Sequence, residues 1–147
     1  MFDSDGFAAL KAELPPPSRR GVLLIDPSYE VKTDYPRVVA ALREALTRFA
    51  EAVVLVWYPQ LLTLESSQLP QRLEAACDGL ARRGWLHARL SVQQPDARGF
   101  GLVGSGLVVA NPPHTLHDAL AGGTMQFLTD VLGQHDGASY LLEQRAV

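Results

Sequence analysis

The sequence predicts an α/β fold built on an open, largely parallel sheet, and three observations carry that prediction. Short, continuous apolar runs, of the kind buried on both faces of a sheet, alternate with longer stretches whose apolar residues recur at helical spacing. Each run stops at proline or a turn-forming group: Ile25 at Asp26-Pro27, Tyr58 at Pro59, Ala110 at Asn111-Pro112-Pro113. With 147 residues, 47% hydrophobic and 20% charged, the chain can bury a core and holds one domain over residues 1–147 rather than two.

Residues 7–14 carry apolar positions at helical spacing and end at Pro15-Pro16-Pro17, which predicts a short helix. The run Gly21-Val22-Leu23-Leu24-Ile25 predicts the first buried strand. Val38, Val39, Leu42, Leu46 and Phe49 form one stripe of a helix over 35–50, with Pro36 suited to its first turn. Residues 52–58 predict a second buried strand and 69–83 a second amphipathic helix closed by Gly84. A more exposed strand follows over 85–93. The Gly- and Pro-containing stretch 93–105 reads as a loop able to act as a lid. Residues 106–110 give another strand, 116–132 a helix weakened by Gly122-Gly123, and 139–143 a last strand. In a parallel sheet the strand ends after residues 25, 58 and 110 would share one ligand crevice.

Thirteen Lys and Arg against sixteen Asp and Glu give a formal charge of −3, which argues against a chain that grips nucleic acid over its whole surface. The single cysteine, Cys77, excludes an internal disulfide and suits a reducing cytosol. No apolar run approaches the roughly 20 residues of a membrane helix, and the first residues lack a secretory signal, so a cytoplasmic protein is expected. His87, His114, His117 and His135 form no ligand set by spacing, and no metal is expected.

Asp26-Pro27-Ser28-Tyr29 places a carboxylate, a fixed turn and an aromatic ring directly after a buried strand. On these residues alone it is either turn chemistry or a catalytic loop. Asp5-Gly6 is likewise either the N-cap of the first helix or a carboxylate beside a close-approach glycine. Asn111-Pro112-Pro113-His114 is a rival to Asp26, or a rigid turn ending a late strand.

Asp26-Pro27-Ser28-Tyr29 resembles the [DN]-P-P-[YFW] motif of S-adenosylmethionine-dependent amino methyltransferases, with Ser28 in place of the second proline. Asp5-Gly6-Phe7, Leu14-Pro15-Pro16, Ser18-Arg19-Arg20-Gly21, Lys32-Thr33-Asp34-Tyr35, Trp57-Tyr58-Pro59, Gly104-Ser105-Gly106 and Asn111-Pro112-Pro113 extend it in order along nearly the whole chain. Together they are similar to the bacterial adenine-N6 methyltransferases of large-subunit ribosomal RNA, also described as proteins for using external DNA. The resemblance implies the C-terminal part of a Rossmann-like class I methyltransferase sheet, mostly parallel with a late antiparallel strand. It implies S-adenosyl-L-methionine as cofactor, held by Asp5, Gly6 and Asp26, and ribosomal RNA as substrate. Asp26, Pro27 and Tyr29 are then catalytic: Asp26 and the Pro27 carbonyl accept from the adenine amine, and Tyr29 stacks on a flipped-out base. Trp57, Tyr58 and Asn111 join Tyr29 as substrate contacts; Arg19, Arg20, Lys32 and Arg37, which flank the site, are by their residue type either phosphate contacts or solvated surface. Ser28 frees the φ angle and restores the N–H that a second proline would remove.

A complete enzyme of this class has an earlier strand and Gly-rich turn for the cofactor, and neither precedes Asp26, so the chain is expected to match the C-terminal half. The strand at 21–25 would then have a bare apolar edge, inviting a homodimer or another partner. The alternative to an enzyme is a catalytically inactive remnant that binds nucleic acid or protein.

Overall fold

The computed structural model describes residues 5–147. Helix α1 (Gly6–Glu13) leads into strand β1 (Val22–Ile25), helix α2 (Asp34–Arg48), strand β2 (Val53–Gln60) and helix α3 (Leu64–Leu80). Strands β3 (Trp85–Ser91) and β4 (Gly104–Ala110) follow, then the short helix α4 (Leu116–Ala119), helix α5 (Met125–Leu132) and strand β5 (Ser139–Arg145). Among the described residues, no helix is long and apolar enough to cross a membrane.

The strands form one mixed sheet in the order β1-β2-β4-β3-β5. Only β1 and β2 pair in parallel; β2 with β4, β3 with β4 and β3 with β5 are all antiparallel. The largely parallel expectation is thus corrected, while the late antiparallel strand is present. The cause is β4, which returns from β3 through residues 92–103 and inserts between β3 and β2, separating two strands that run the same way. Antiparallel neighbours need only such a local return.

Insertion of β4 also reverses one strand end. Ala110 pairs with Val54 and Trp85, near the starts of β2 and β3, so the chain leaves β4 at the opposite end of the sheet from Ile25. The crevice expected after residues 25, 58 and 110 therefore loses its third contributor.

Alternation along the strands sends Val54, Val56 and Tyr58 to one face, where Val38, Leu42 and Leu46 of α2 and Leu69, Leu73 and Cys77 of α3 complete the main core. Burial pushes the Cys77 thiol up to about 12, so it is an inert apolar filler. On the other face, Leu86 and Val109 are buried beside Met125 and Thr129 of α5. The helix expected over 116–132 is broken at Gly122 and Gly123, where Gly123 takes φ +111°, open to glycine at little cost.

Two prolines sit inside elements. Pro59 continues β2, because β1 ends opposite Val56. The Gln60 carbonyl faces β4, accepting from Val103 N at 3.0 Å, so alternation turns the Pro59 nitrogen toward the side where no strand requires its N–H. Helix α3 begins five residues before the expected 69, where Thr63 accepts from Ser66 N, and it runs on through Pro70.

Candidate active site

Strand β1 is short, apolar and at the edge of the sheet, with Leu24 61% exposed. Its last residue, Ile25, faces the core and delivers Asp26 to the rim, exposed, with Pro27 half-buried behind it. The chain then turns sharply: Tyr29 has φ +56°, a left-handed conformation disfavoured for a residue with a Cβ. A tertiary contact holds it there. The Tyr29 hydroxyl donates to the Trp57 carbonyl at 2.6 Å. By the alternation that turns Pro59 outward, this carbonyl faces the β1 side just beyond the last β1 pair, so Tyr29 satisfies a group that the sheet leaves free.

Tyr29 lies 5.1 Å from the Tyr35 ring and 6.3 Å from that of Trp57, between ring centres, and is only 6% exposed. It has no open face on which a base could stack, which corrects that expectation. Its phenol stays protonated, because burial and then the neighbouring Asp26 push its pKa far up. Tyr29 is therefore a strut under the Asp26-Pro27 turn. Trp57 remains half-buried at the rim.

Asp5 and Gly6 reach the same place from α1. Asp5 caps the helix, accepting from Phe7 N at 3.0 Å, and its other oxygen pairs with Arg37 of α2 at 3.0 Å. The Arg37 guanidinium also lies 4.3 Å from the Phe7 ring centre. One group thus performs the capping role and faces the site. A cavity of about 530 Å³ between α1, α2 and the open side of β1 is bordered by Asp5, Gly6, Asp26 and Pro27, with Leu10 and Leu23 among its apolar walls. The structure brings together the residues expected at the cofactor and the target amine.

Other expected residues lie elsewhere. Tyr58 is fully buried, its hydroxyl 2.7 Å from Nε2 of His87, so it cannot wall a substrate pocket. Asn111 is 0% exposed at the far end of the sheet. Its amide donates to the carbonyls of Ala50 and Ala52 at 2.9 and 2.7 Å, and its oxygen accepts from Arg83 N at 2.8 Å. It is a latch between chain segments, not a substrate contact. Arg19 and Arg20 also leave the site, lining a cavity with Arg82 and Arg83 near the start of β1. Lys32 and Arg37 stay near it but are paired, Lys32 with Glu65 of α3 at 2.8 Å and Arg37 with Asp5. The stretch expected as a lid joins β3 to β4 at the same end of the sheet as Asp26, and Asp96 stiffens its tip from within: its carboxylate accepts from Arg98 N and Phe100 N at 2.9 and 2.8 Å. Sequence reasoning missed that Arg37 anchors Asp5. Its place in the first turn of α2, facing α1, carries the only signal, and that signal needs the packing of α1 on α2.

The family model described as ribosomal RNA large subunit methyltransferase D, RlmJ, matches residues 1–143. The chain is 44% identical over 117 residues to ribosomal RNA large subunit methyltransferase J of Escherichia coli strain K12, covering 80% of this chain and 40% of that protein. It is 40% identical over 139 residues to the protein of the same name from Haemophilus influenzae, covering 95% of this chain and 47% of that one. The chain therefore spans less than half the length of these curated relatives. A crystal structure of a Legionella pneumophila protein of the family DUF519 superposes with a TM-score of 0.80 at 28% identity, covering 96% of this chain and 49% of that one. With the motif order, the shared cavity and these matches in hand, the chain belongs to the RlmJ family of large-subunit ribosomal RNA methyltransferases.

Proposed function

We propose that this chain forms the target-base half of an enzyme that methylates the exocyclic N6 of an adenine in large-subunit ribosomal RNA. The observation that carries the reading is the single cavity shared by Asp5-Gly6 and Asp26-Pro27. The sheet is then the C-terminal part of a Rossmann-like class I methyltransferase, with β4 as its inserted antiparallel strand. S-Adenosylmethionine, when bound, supplies an electrophilic methyl group on a sulfonium. The residues present fit one side of it: the cavity has the size of a small-molecule site, apolar walls for a ring and methylenes, and the exposed Asp26 carboxylate at its border, with Asp5 beside it holding Phe7 N and Arg37. Asp5 and Gly6 border the adenine end, and Asp26 the reacting end.

An adenine amine is a weak nucleophile because its lone pair is delocalised into the ring. Asp26 and the Pro27 carbonyl accept its two N6 hydrogens, which favours the tetrahedral nitrogen needed for attack, and Asp26 is placed to receive the released proton. Tyr29 positions the turn, and Trp57 borders the base. Ser28 leaves this turn less fixed than a second proline would; its hydroxyl instead accepts from Glu30 N at 3.4 Å. The test is transfer of labelled methyl to protein-free large-subunit RNA, read as N6-methyladenosine after digestion. The proposal requires activity that Asp26→Ala removes with the fold intact; turnover unchanged in Asp26→Ala contradicts it.

A second reading rests on the exposed edge of β1 and the partial coverage of the relatives. In it the chain is an inactive remnant that binds RNA or protein, and β1 pairs with a further strand, for example in a homodimer. RNA binding without turnover, by a species of twice the chain mass, favours this reading.

A further inference from the structure

On the helix-covered face of the sheet, away from the Asp26 cavity, His87 is 2% exposed and its two ring nitrogens have unlike surroundings. Nε2 meets the Tyr58 hydroxyl at 2.7 Å. The Tyr58 ring reaches it by lying across β4 at Gly106, where a Cβ would come within 2.1 Å of Tyr58 Cζ. Nδ1 lies 2.8 Å from Oε1 of Glu74 on α3, at an angle that makes no hydrogen bond, and so has no partner. Glu143 of β5 stands directly opposite His87 in the strand register. A ring nitrogen of His87 and one oxygen from each of Glu74 and Glu143 lie within 4.8 Å of one another.

In the tautomer that a metal ligand requires, with the hydrogen on Nε2 toward the Tyr58 hydroxyl, the lone pair of Nδ1 faces the Glu74 and Glu143 carboxylates and the three can share one cation. Arg89, two residues along β3 on the same face, acts through its charge on both Glu74 and His87, without an ion pair to Glu74 or Glu143 among the described residues. One imidazole and two carboxylates suit a zinc-class divalent ion with water completing the tetrahedron, and the Tyr58 hydroxyl on the second ring nitrogen takes the outer, ring-orienting place that a carboxylate, carbonyl or water holds for most such ligands. We propose that Glu74, His87 and Glu143 form a divalent metal site that clamps edge strand β5 to β3 and α3. Histidine spacing alone gave no such set, because its members come from three elements and meet only through the β3–β5 register.

The test is calorimetric titration of the chelator-treated, desalted chain with zinc chloride, with thermal melting in parallel. One ion should bind per chain and raise the melting temperature. Glu143→Gln, at an exposed position that does not threaten folding, should weaken binding at least about 10-fold, and Tyr58→Phe about 10-fold or more. A triple variant, His114→Ala with His117→Ala and His135→Ala, should bind as the parent does. Absence of stoichiometric binding to the folded parent, binding unchanged in Glu143→Gln, or binding lost in the triple variant overturns the proposal.

Discussion

The chain carries two loops of nearly the same chemistry at opposite ends of its sheet. Asp26-Pro27-Ser28-Tyr29 leaves edge strand β1, and Asn111-Pro112-Pro113-His114 leaves β4, which is paired on both sides. Each has an acceptor-bearing side chain, a proline and a left-handed residue, Tyr29 at φ +56° and Asn111 at φ +53°. At the β1 end the carboxylate is exposed beside a cavity, and the buried aromatic supports it from below. At the β4 end the amide is buried, and its hydrogen bonds join neighbouring chain segments. The letters are similar; the difference lies in which end of the sheet a strand delivers them to, and whether anything covers them.

The contrast can be broken or sharpened by substitution. Asp26→Ala should have the largest effect and leave stability nearly untouched: methyl transfer falls by about 100-fold or more, equivalent to ~3 kcal/mol, while urea unfolding shifts by less than ~0.5 kcal/mol. Asn111→Ala should do the reverse. It strips three backbone groups, one buried and two partly buried, of their partner and leaves Ala at a left-handed position, so unfolding free energy drops by about 3 kcal/mol while activity per folded molecule holds. Tyr29→Phe removes only the bond to the Trp57 carbonyl and should cost about 1 kcal/mol in stability, with a smaller loss of transfer than Asp26→Ala. Arg37→Ala should be mildest, under ~1 kcal/mol, since its pairs with Asp5 and Asp34 are partly exposed and screened. Raising salt should shrink this difference further.

Much of the fold was legible locally. The runs around 22–25, 53–58, 85–91 and 106–110 became strands, and the stripe from Val38 to Leu46 became the buried face of α2, because apolar periodicity reports burial directly. Strand order and direction were not legible. Nothing in residues 104–110 says that they will part β2 from β3, and that insertion moved Asn111 to the far end. Pro59 does not end β2 for a related reason: a missing N–H matters only where a partner requires it, and that depends on where the neighbouring strand stops. Asp5, Gly6, Asp26 and Pro27 border one cavity, a juxtaposition that the order of motifs suggests and that single residues do not. Tyr29 and Tyr58 were assigned to a base because an aromatic at a strand end has the same letters whether its ring faces a pocket or the core.

The central claim is that the β1 end of the sheet, and not the β4 end, receives the methyl donor. Titrating the isotope-labelled chain with S-adenosylmethionine while following backbone amide resonances tests it most directly. The account predicts shifts concentrated at Asp5, Gly6, Asp26 and Ser28, with Asn111 and His114 unmoved. Shifts centred on Asn111 and His114, or no shift at saturating ligand in a folded sample, would contradict it.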